Sequence, residues 1–256
     1  MILFTADWHI KLGQKNVPLP FACSRYKLFF EEIYDIEKSA SMHIIGGDLF
    51  DRVPSMDEIT LYFDFIKGVS IPTIIFDGNH EATKKNKTFF TNLKRATTDI
   101  NELVTIVDET TEFEFGTILP YADLHKKGSI EKCNPKLPLY THVRGEIPPH
   151  VTPEVELSRF DKFPVVYAGD LHSHSNTQRN IVYPGSPMTT SFHRELVKTG
   201  YLMIDNTHDW TWHEFVLPQL LRKTVSDPSE MLPTMFHHTI YEIEGDVADL
   251  ANIKNS

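Results

Sequence analysis

The chain has 256 residues, 41% hydrophobic and 11% aromatic, which suits one large α/β domain, or one domain with an appendage, around a substantial core. Its formal net charge of −10 with histidine neutral argues, taken alone, against nucleic acid as a partner. There is no apolar run of roughly eighteen residues to cross a membrane, and the opening residues, Met1 to Asp7, lack the basic start and long apolar centre of a signal peptide. Two cysteines, Cys23 and Cys133, without metal-type pairing fit a reducing, cytoplasmic setting, or a host cell's cytoplasm for a viral protein.

The first strand, 1–6, ends at Asp7-Trp8-His9. A carboxylate and an imidazole two residues apart project to the same side of an extended chain and make a bidentate pair for a divalent metal. After a loop with Pro18 and Pro20, Tyr26, Phe29, Phe30, Ile33 and Ile36 recur at spacings of three and four, which predicts a helix over 21–40. The apolar run 42–45 predicts a second strand and completes a βαβ unit with a parallel pair. That strand leaves through Gly46-Gly47 into Asp48, at the carboxyl edge where open α/β sheets bind ligands. Asp51 reads equally as a group that orients a metal ligand or as a solvated turn acid.

Ser55-x-x-Glu58 is a capping box that opens a helix over 56–68. The third strand, 72–76, ends in Asp77-Gly78-Asn79-His80-Glu81. Asn79 offers a carbonyl oxygen to a metal. His80, one residue on, is expected to point elsewhere and to serve as an acid or electrostatic group facing a phosphate. Residues 84–96 are basic and polar and read as a solvated helix covering the sheet, with a positive flank for a polyanion as the alternative.

Strands are expected at 103–107, 112–115 and 117–121, a short helix near 128–133, and a strand over 137–141 that reaches His142. His125 and His150 lie deeper in loops and rank below His142. The strand 163–168 ends in Gly169-Asp170-Leu171-His172-Ser173-His174, where Asp170 with His172, or His172 with His174, falls on one side. Ile181-Val182-Tyr183 runs into Pro184-Gly185-Ser186-Pro187, and strands at 200–205 and 210–216 close the sheet. His43, His193, His208, His213, His237 and His238 read as core or surface groups, with His193 near a substrate-facing loop. A polar, proline-containing stretch at 218–233 precedes a strand over 238–244 and a helix from 247 to 253. A strand and a helix cannot make a core, so this last stretch is expected to begin a second unit that the chain does not complete.

Pooling the strand ends gives Asp7, His9, Asp48, Asn79, His142, Asp170 and His172. Oxygen and imidazole without thiolate suit Mn²⁺, Mg²⁺, Fe²⁺ or Zn²⁺. Seven ligands are too many for one ion but suit two that share a carboxylate, and such a pair hydrolyses phosphate esters.

The order Asp-x-His, Gly-Asp-x-x-Asp, Gly-Asn-His, His, Gly-x-x-His resembles the calcineurin-like metallophosphoesterases. Gly47-Asp48-Leu49-Phe50-Asp51, Ile118-Leu119-Pro120-Tyr121 and Tyr183-Pro184-Gly185-Ser186-Pro187 with Thr190-Ser191-Phe192 resemble the SbcD-type (Mre family) nuclease branch, over about residues 1–216. The resemblance implies an α/β fold, a β-sandwich flanked by helices. It divides the chain into a nuclease domain at 1–217, a linker at 218–235 and the start of a small capping domain at 236–256. It implies Mn²⁺-dependent cleavage of DNA, with Mg²⁺ or Fe²⁺ as alternatives, as double-strand exonuclease and single-strand endonuclease in recombination and repair. A homodimer docked on an SbcC-like ABC-type ATPase, with no membrane partner, belongs to the same picture. One ion would be held by Asp7, His9, Asp48 and His172, the other by Asp48, Asn79, His142 and residue 170, with Asp48 bridging and His80 stabilising the transition state or helping the leaving oxygen depart.

One position departs from that pattern. The family's last motif is Gly-His-x-His, whereas Gly169 is followed here by Asp170. Either Asp170 replaces the first histidine or the pair slides to His172 and His174; the first option keeps Gly169 at the strand end. Two other functions compete: a small-molecule phosphoesterase of the same fold, and a non-catalytic metal-binding scaffold, whose mark would be loss of ligands. The acidic net charge sets an expectation for the nuclease: binding to DNA by this chain alone should be weak and fall with added salt, since contact would rest on metals, local basic patches and partners. Tight metal-free binding in moderate salt would contradict it.

Overall fold

Strands that read as unbroken apolar runs are those buried on both faces, and here they stack into two sheets. The computed structural model describes residues 1–84 and 87–244. In chain order the elements are β1 (Ile2–Thr5), α1 (Leu19–Glu37), β2 (Met42–Gly46), α2 (Met56–Gly68), β3 (Thr73–Phe76), a small hairpin of β4 (Ala82–Lys84) and β5 (Lys87–Thr88), and α3 (Phe90–Ile100). There follow β6 (Val104–Val107), β7 (Thr111–Phe113), β8 (Gly116–Leu119), the single turns α4 (Tyr121–Leu124) and α5 (Ser129–Lys132), β9 (Leu139–His142), β10 (Val166–Gly169) and β11 (Ile181–Val182). The described chain ends with β12 (Gly200–Ile204), β13 (Trp210–Glu214), β14 (Leu220–Val225) and β15 (His238–Ile243).

The first sheet has the order β13-β12-β1-β2-β3-β6, and the second β11-β10-β9-β8-β7. In the first, β1, β2, β3 and β6 are mutually parallel, and β12 runs antiparallel to its neighbours β1 and β13. In the second, only β7 runs antiparallel. The two faces of each strand go to different cores. On the first sheet Phe4, Ile44, Ile74 and Phe76 meet Ile118, Tyr140, Tyr167 and Val182 of the second sheet. The alternate residues Leu3, Ile45 and Ile75 meet Phe29, Ile33, Tyr62 and Phe65 from α1 and α2. Leu119, Leu139 and Val166 face a third cluster with Leu124, Ile130 and Phe160. The result is the expected β-sandwich flanked by helices.

The capping box of α2 is formed: Ser55 Oγ accepts from Glu58 N, and Ser55 N donates to Glu58 Oε2 at 2.7 Å. The basic stretch differs from expectation. Its first part pairs as β4 and β5, and α3 starts only at Phe90, because Phe89 and Phe90 wedge into the core against Phe50. The positive flank is also partly neutralised, since Lys94 Nζ sits 2.6 Å from Asp108 Oδ1. The 218–233 stretch holds a strand, β14, with Leu220, Leu221 and Val225 buried. It pairs in parallel with β15. The helix expected at 247–253 lies outside the described residues. Among the described residues no helix is long and apolar enough to cross a membrane.

Trp8 ties this core to the loop after β1. Its ring packs edge-on against Phe29 at 4.7 Å and Phe65 at 4.9 Å between centroids, and its Nε1 donates to Thr5 Oγ1 at 2.9 Å. Phe29 is fully buried beneath it. Phe29→Ala is expected to lower stability by about 3–5 kcal/mol, measured by urea unfolding; a loss under about 1 kcal/mol would contradict this packing.

Candidate metal centre

The carboxyl ends of β1, β2, β3, β9 and β10 open on one rim, and each delivers polar side chains there. The loops after β1 and β2 stay zipped as they leave the sheet. Asp7 N donates to Gly47 O at 3.0 Å, His9 N to Asp48 O at 2.9 Å and Ile10 N to Leu49 O at 2.8 Å. Asp7, His9, Asp48 and Asp170 all have positive φ, at 57°, 46°, 50° and 104°. Such backbone is costly for residues with side chains and is typical of functional sites. This corrects the extended-chain argument for Asp7 and His9: left-handed backbone at both residues, not strand alternation, turns them to the same point. Glycine is required where the sheets touch. A Cβ on Gly169 would meet Gly46 O at 2.5 Å and His142 Nδ1 at 2.6 Å.

Asp48 is the hub. Its Oδ2 lies 3.4 Å from His142 Nε2, 3.7 Å from His9 Nε2 and 3.9 Å from His80 Nε2. Its Oδ1 accepts from His80 N at 2.9 Å. His142 Nδ1 donates to Gly46 O at 2.9 Å, and His80 Nδ1 donates to Asp51 O at 2.5 Å. Each bond turns its ring so that Nε2 faces the hub, where, once free of its proton, it offers a lone pair to a cation. Three sets of ligand atoms lie within 4.8 Å of one another: Asp7, His9 and His172; His9, Asp48 and His80; Asp7, Asp48 and His142. His80 is therefore nearer the hub than its place one residue after Asn79 implied.

These residues fit divalent cations. His9 Nε2 and His172 Nε2 are 3.0 Å apart, so one lone pair needs a proton or a cation. His9 Nδ1 is buried without a hydrogen-bond partner among the described residues. Asn79, with its amide nitrogen inward, reaches two acceptors, Asp48 Oδ2 at 3.3 Å and Asp170 Oδ1 at 3.2 Å, and lies 3.0 Å from His142 Nε2. A cation at that point would take the same acceptors, and the amide oxygen on rotation.

The electrostatics also call for positive charge. Burial, reinforced by Asp48 and Asp170 against His142, holds the Asp7 carboxyl well above its ordinary range. Burial alone would drive the His142 imidazolium down, but Asp48, Asp7 and Asp170 outweigh it and hold it well above the usual imidazole range. Burial would likewise raise Asp48, yet His142, His9 and His80 draw it well below the carboxylate range. His9 is pushed down to about 3, chiefly by burial. Protons thus gather where cations would sit.

Of the residues singled out in the sequence, Asp7, His9, Asp48, Asn79, His80, His142, Asp170 and His172 come together. Asp51 lies behind them, with Oδ1 3.7 Å from His9 Nδ1 and Oδ2 2.7 Å from Lys11 Nζ. His174 does not join: its Nδ1 donates to Tyr183 O at 2.7 Å and its ring stacks on Trp212. The slide to His172 and His174 therefore has no geometric support. His125 faces Glu154 at 3.5 Å, and His150 is exposed.

Two residues escaped the sequence reading. Glu81, fully buried, accepts from Asp48 N at 2.9 Å, Phe50 N at 2.9 Å and Gly78 N at 2.8 Å, and so locks the β2 loop to the β3 loop. Burial, with Asp48 beside it, pushes its carboxyl up to about 8. Its only sequence signal is an acid next to Gly78-Asn79-His80. Arg144 holds Asp170 in a two-pronged pair, Nε to Oδ2 at 3.2 Å and a terminal nitrogen to Oδ1 at 3.1 Å. It offsets the negative charge that Asp170 adds where an imidazole was expected. Glu81→Ala strips partners from three buried N–H groups, each worth about 1–3 kcal/mol. The expected result is a stability loss of about 3 kcal/mol or more by urea unfolding, with weaker Mn²⁺ binding by calorimetry. A neutral effect on both would contradict the role given to Glu81.

The sequence profile of the calcineurin-like phosphoesterases matches residues 1–189. The chain is also 40% identical over 273 aligned residues to a protein of Escherichia phage T5 named probable exonuclease subunit 1, an alignment that spans 100% of this chain and 82% of the relative. With its ligand-type residues gathered at the rim of a two-sheet sandwich, the chain belongs to the calcineurin-like phosphoesterase family.

Proposed function

We propose that this chain is the nuclease subunit of a DNA-processing complex, a phosphodiesterase that cuts DNA with two divalent ions, Mn²⁺ foremost. The observation that carries the reading is the convergence of three imidazole Nε2 atoms on one oxygen of Asp48. The phage T5 relative, called an exonuclease subunit, supports a DNA substrate and a partner chain. An SbcC-like ABC-type ATPase, a homodimer, a role in recombination and repair and action in a host cell's cytoplasm belong to the same proposal. So does the division into a nuclease domain at 1–217, a linker and a capping unit from 236.

In this reading Asp7, His9, Asp48 and His172 hold one ion and Asp48, Asn79, His142 and Asp170 the other. When bound, the pair supplies Lewis-acid charge stabilisation and activates water for attack on phosphorus. The protein's own groups do the rest. Asp51 and Gly46, through their carbonyls, hold the His80 and His142 rings with Nε2 toward the hub. His80, its side chain 36% exposed, stands on the open side of the hub, where its doubly protonated ring can place the Nε2 proton on the departing oxygen while Nδ1–H stays on Asp51 O. Arg144 keeps Asp170 aimed at the centre.

The test is cleavage of labelled duplex and single-stranded DNA in Mn²⁺. His80→Ala is expected to lower kcat by roughly 10²–10⁴ while calorimetry still counts two bound ions. Absence of bound metal would overturn the proposal. The net charge of −10 favours the second reading, a small-molecule phosphoesterase. Hydrolysis of a simple phosphodiester, with no DNA cleavage even beside an ATPase partner, would select it.

A further inference from the structure

The hub does not end at His172. A cavity of about 750 Å³ opens beside it, lined by His172 and Thr190 at one end and by His174, Trp212, Met188 and Val197 further in. The nuclease reading leaves this space without a role.

We propose that the cavity is a nucleoside subsite, which takes the unstacked base and sugar next to the phosphate held at the metal centre. The inference rests on the nuclease reading, and four observations carry it. First, the cavity is continuous with the centre through His172, whose Nδ1 is 3.2 Å from Thr190 Oγ1, so a phosphate at the hub leaves one of its ester arms at the cavity mouth. Second, its size falls in the range of ligand pockets, about 300–1,000 Å³, and its lining mixes apolar side chains, Leu171, Met188 and Trp212 among them, with hydroxyls and amides such as Ser175, Asn176 and Thr189 that can pair with a base or sugar. Third, two aromatic rings stand in its lining. The rings of His174 and Trp212 are stacked at 5.3 Å with 15° between planes. Each is pinned by a hydrogen bond, His174 Nδ1 to Tyr183 O and Trp212 Nε1 to Pro184 O at 2.9 Å. Aromatic faces take any base, because every base has a π-face. Fourth, its charge suits a polyanion. The chain has 35 acidic residues against 25 basic ones, yet among the described residues no carboxylate lines the cavity, while Lys198 does.

Another part of the lining is built in advance. Arg25, a buried arginine on α1, donates to Thr189 O at 3.0 Å and to Thr189 Oγ1 at 3.3 Å. Thr189 Oγ1 in turn accepts from Leu220 N of β14 at 2.9 Å. This segment of the lining is thus fixed from both sides. A strand end entering the centre would stack one base here and leave its duplex partner behind, so single-stranded or frayed ends are the substrates this geometry favours.

The experiment compares intact single strands with strands carrying an abasic site at each position flanking the cleaved bond, using the wild-type chain in Mn²⁺ with two bound ions verified by calorimetry. Wild-type cleavage is expected to fall about tenfold to a hundredfold at one of the two abasic positions, the range given by loss of one base stack. Val197→Trp, which adds bulk to the cavity lining, should cut the intact strand at the slow abasic rate, and the abasic site should then slow it less than threefold. Ser175→Trp, at the exposed rim, repeats the test should Val197→Trp melt early. Equal wild-type rates on intact and abasic strands, or cavity-filled variants that cut intact DNA at the wild-type rate, would overturn the subsite. A wild-type chain that binds two ions and cleaves a simple phosphodiester but no DNA, even beside an ATPase partner, would overturn the nuclease reading and the subsite with it.

Discussion

Asp48 is a buried carboxylate whose one oxygen faces three imidazole nitrogens and whose backbone is held by a second buried acid, Glu81. Leaving such a group without compensating charge costs several kcal/mol. The surrounding design answers that cost. Two sheets are brought rim to rim so that His142, at the end of β9, reaches Asp48 across the glycines Gly46 and Gly169. Trp8 anchors the β1 loop in the helix-covered core, which keeps Asp7 and His9 in left-handed backbone. Folding energy from the core thus holds a cluster that would repel itself in isolation, and divalent cations are the charge such a cluster calls for.

Much of this was legible in the sequence, and the reasons differ between elements. The strands could be read because burial on both faces demands apolar residues at every position, as in 42–45 and 72–76. The ligand types could be read because each follows such a run directly. What could not be read was conformation. Positive φ at Asp7, His9 and Asp48 has no composition signature, so the right pairing of Asp7 with His9 came from the wrong backbone. Glu81 and Arg144 were missed for a related reason: their work is defined by partners in other loops, and a lone acid or arginine carries no such label in one dimension. The start of α3 was misplaced because Phe89 and Phe90 serve tertiary packing, which outweighs the polar character of the stretch around them.

The acidic balance of the chain, which first argued against nucleic acid, takes on a local meaning. Several of its carboxylates are inside the centre or braced against it, among them Asp7, Asp48, Glu81 and Asp170. These acids recruit cations rather than repel a phosphate, and bound ions reverse the sign of the field at the rim. The neighbouring cavity follows the same logic, with Lys198 at its edge and its carboxylates elsewhere. Net charge is a poor guide to a partner when the charge is concentrated in ligands.

The central claim is that Asp48 is shared by two ions. Anomalous diffraction from crystals soaked in Mn²⁺ tests it most directly. The account predicts two peaks flanking Asp48 Oδ2, one toward His9 and His172 and one toward His142, Asn79 and Asp170. A single peak, or peaks that leave Asp48 without contact, would contradict it.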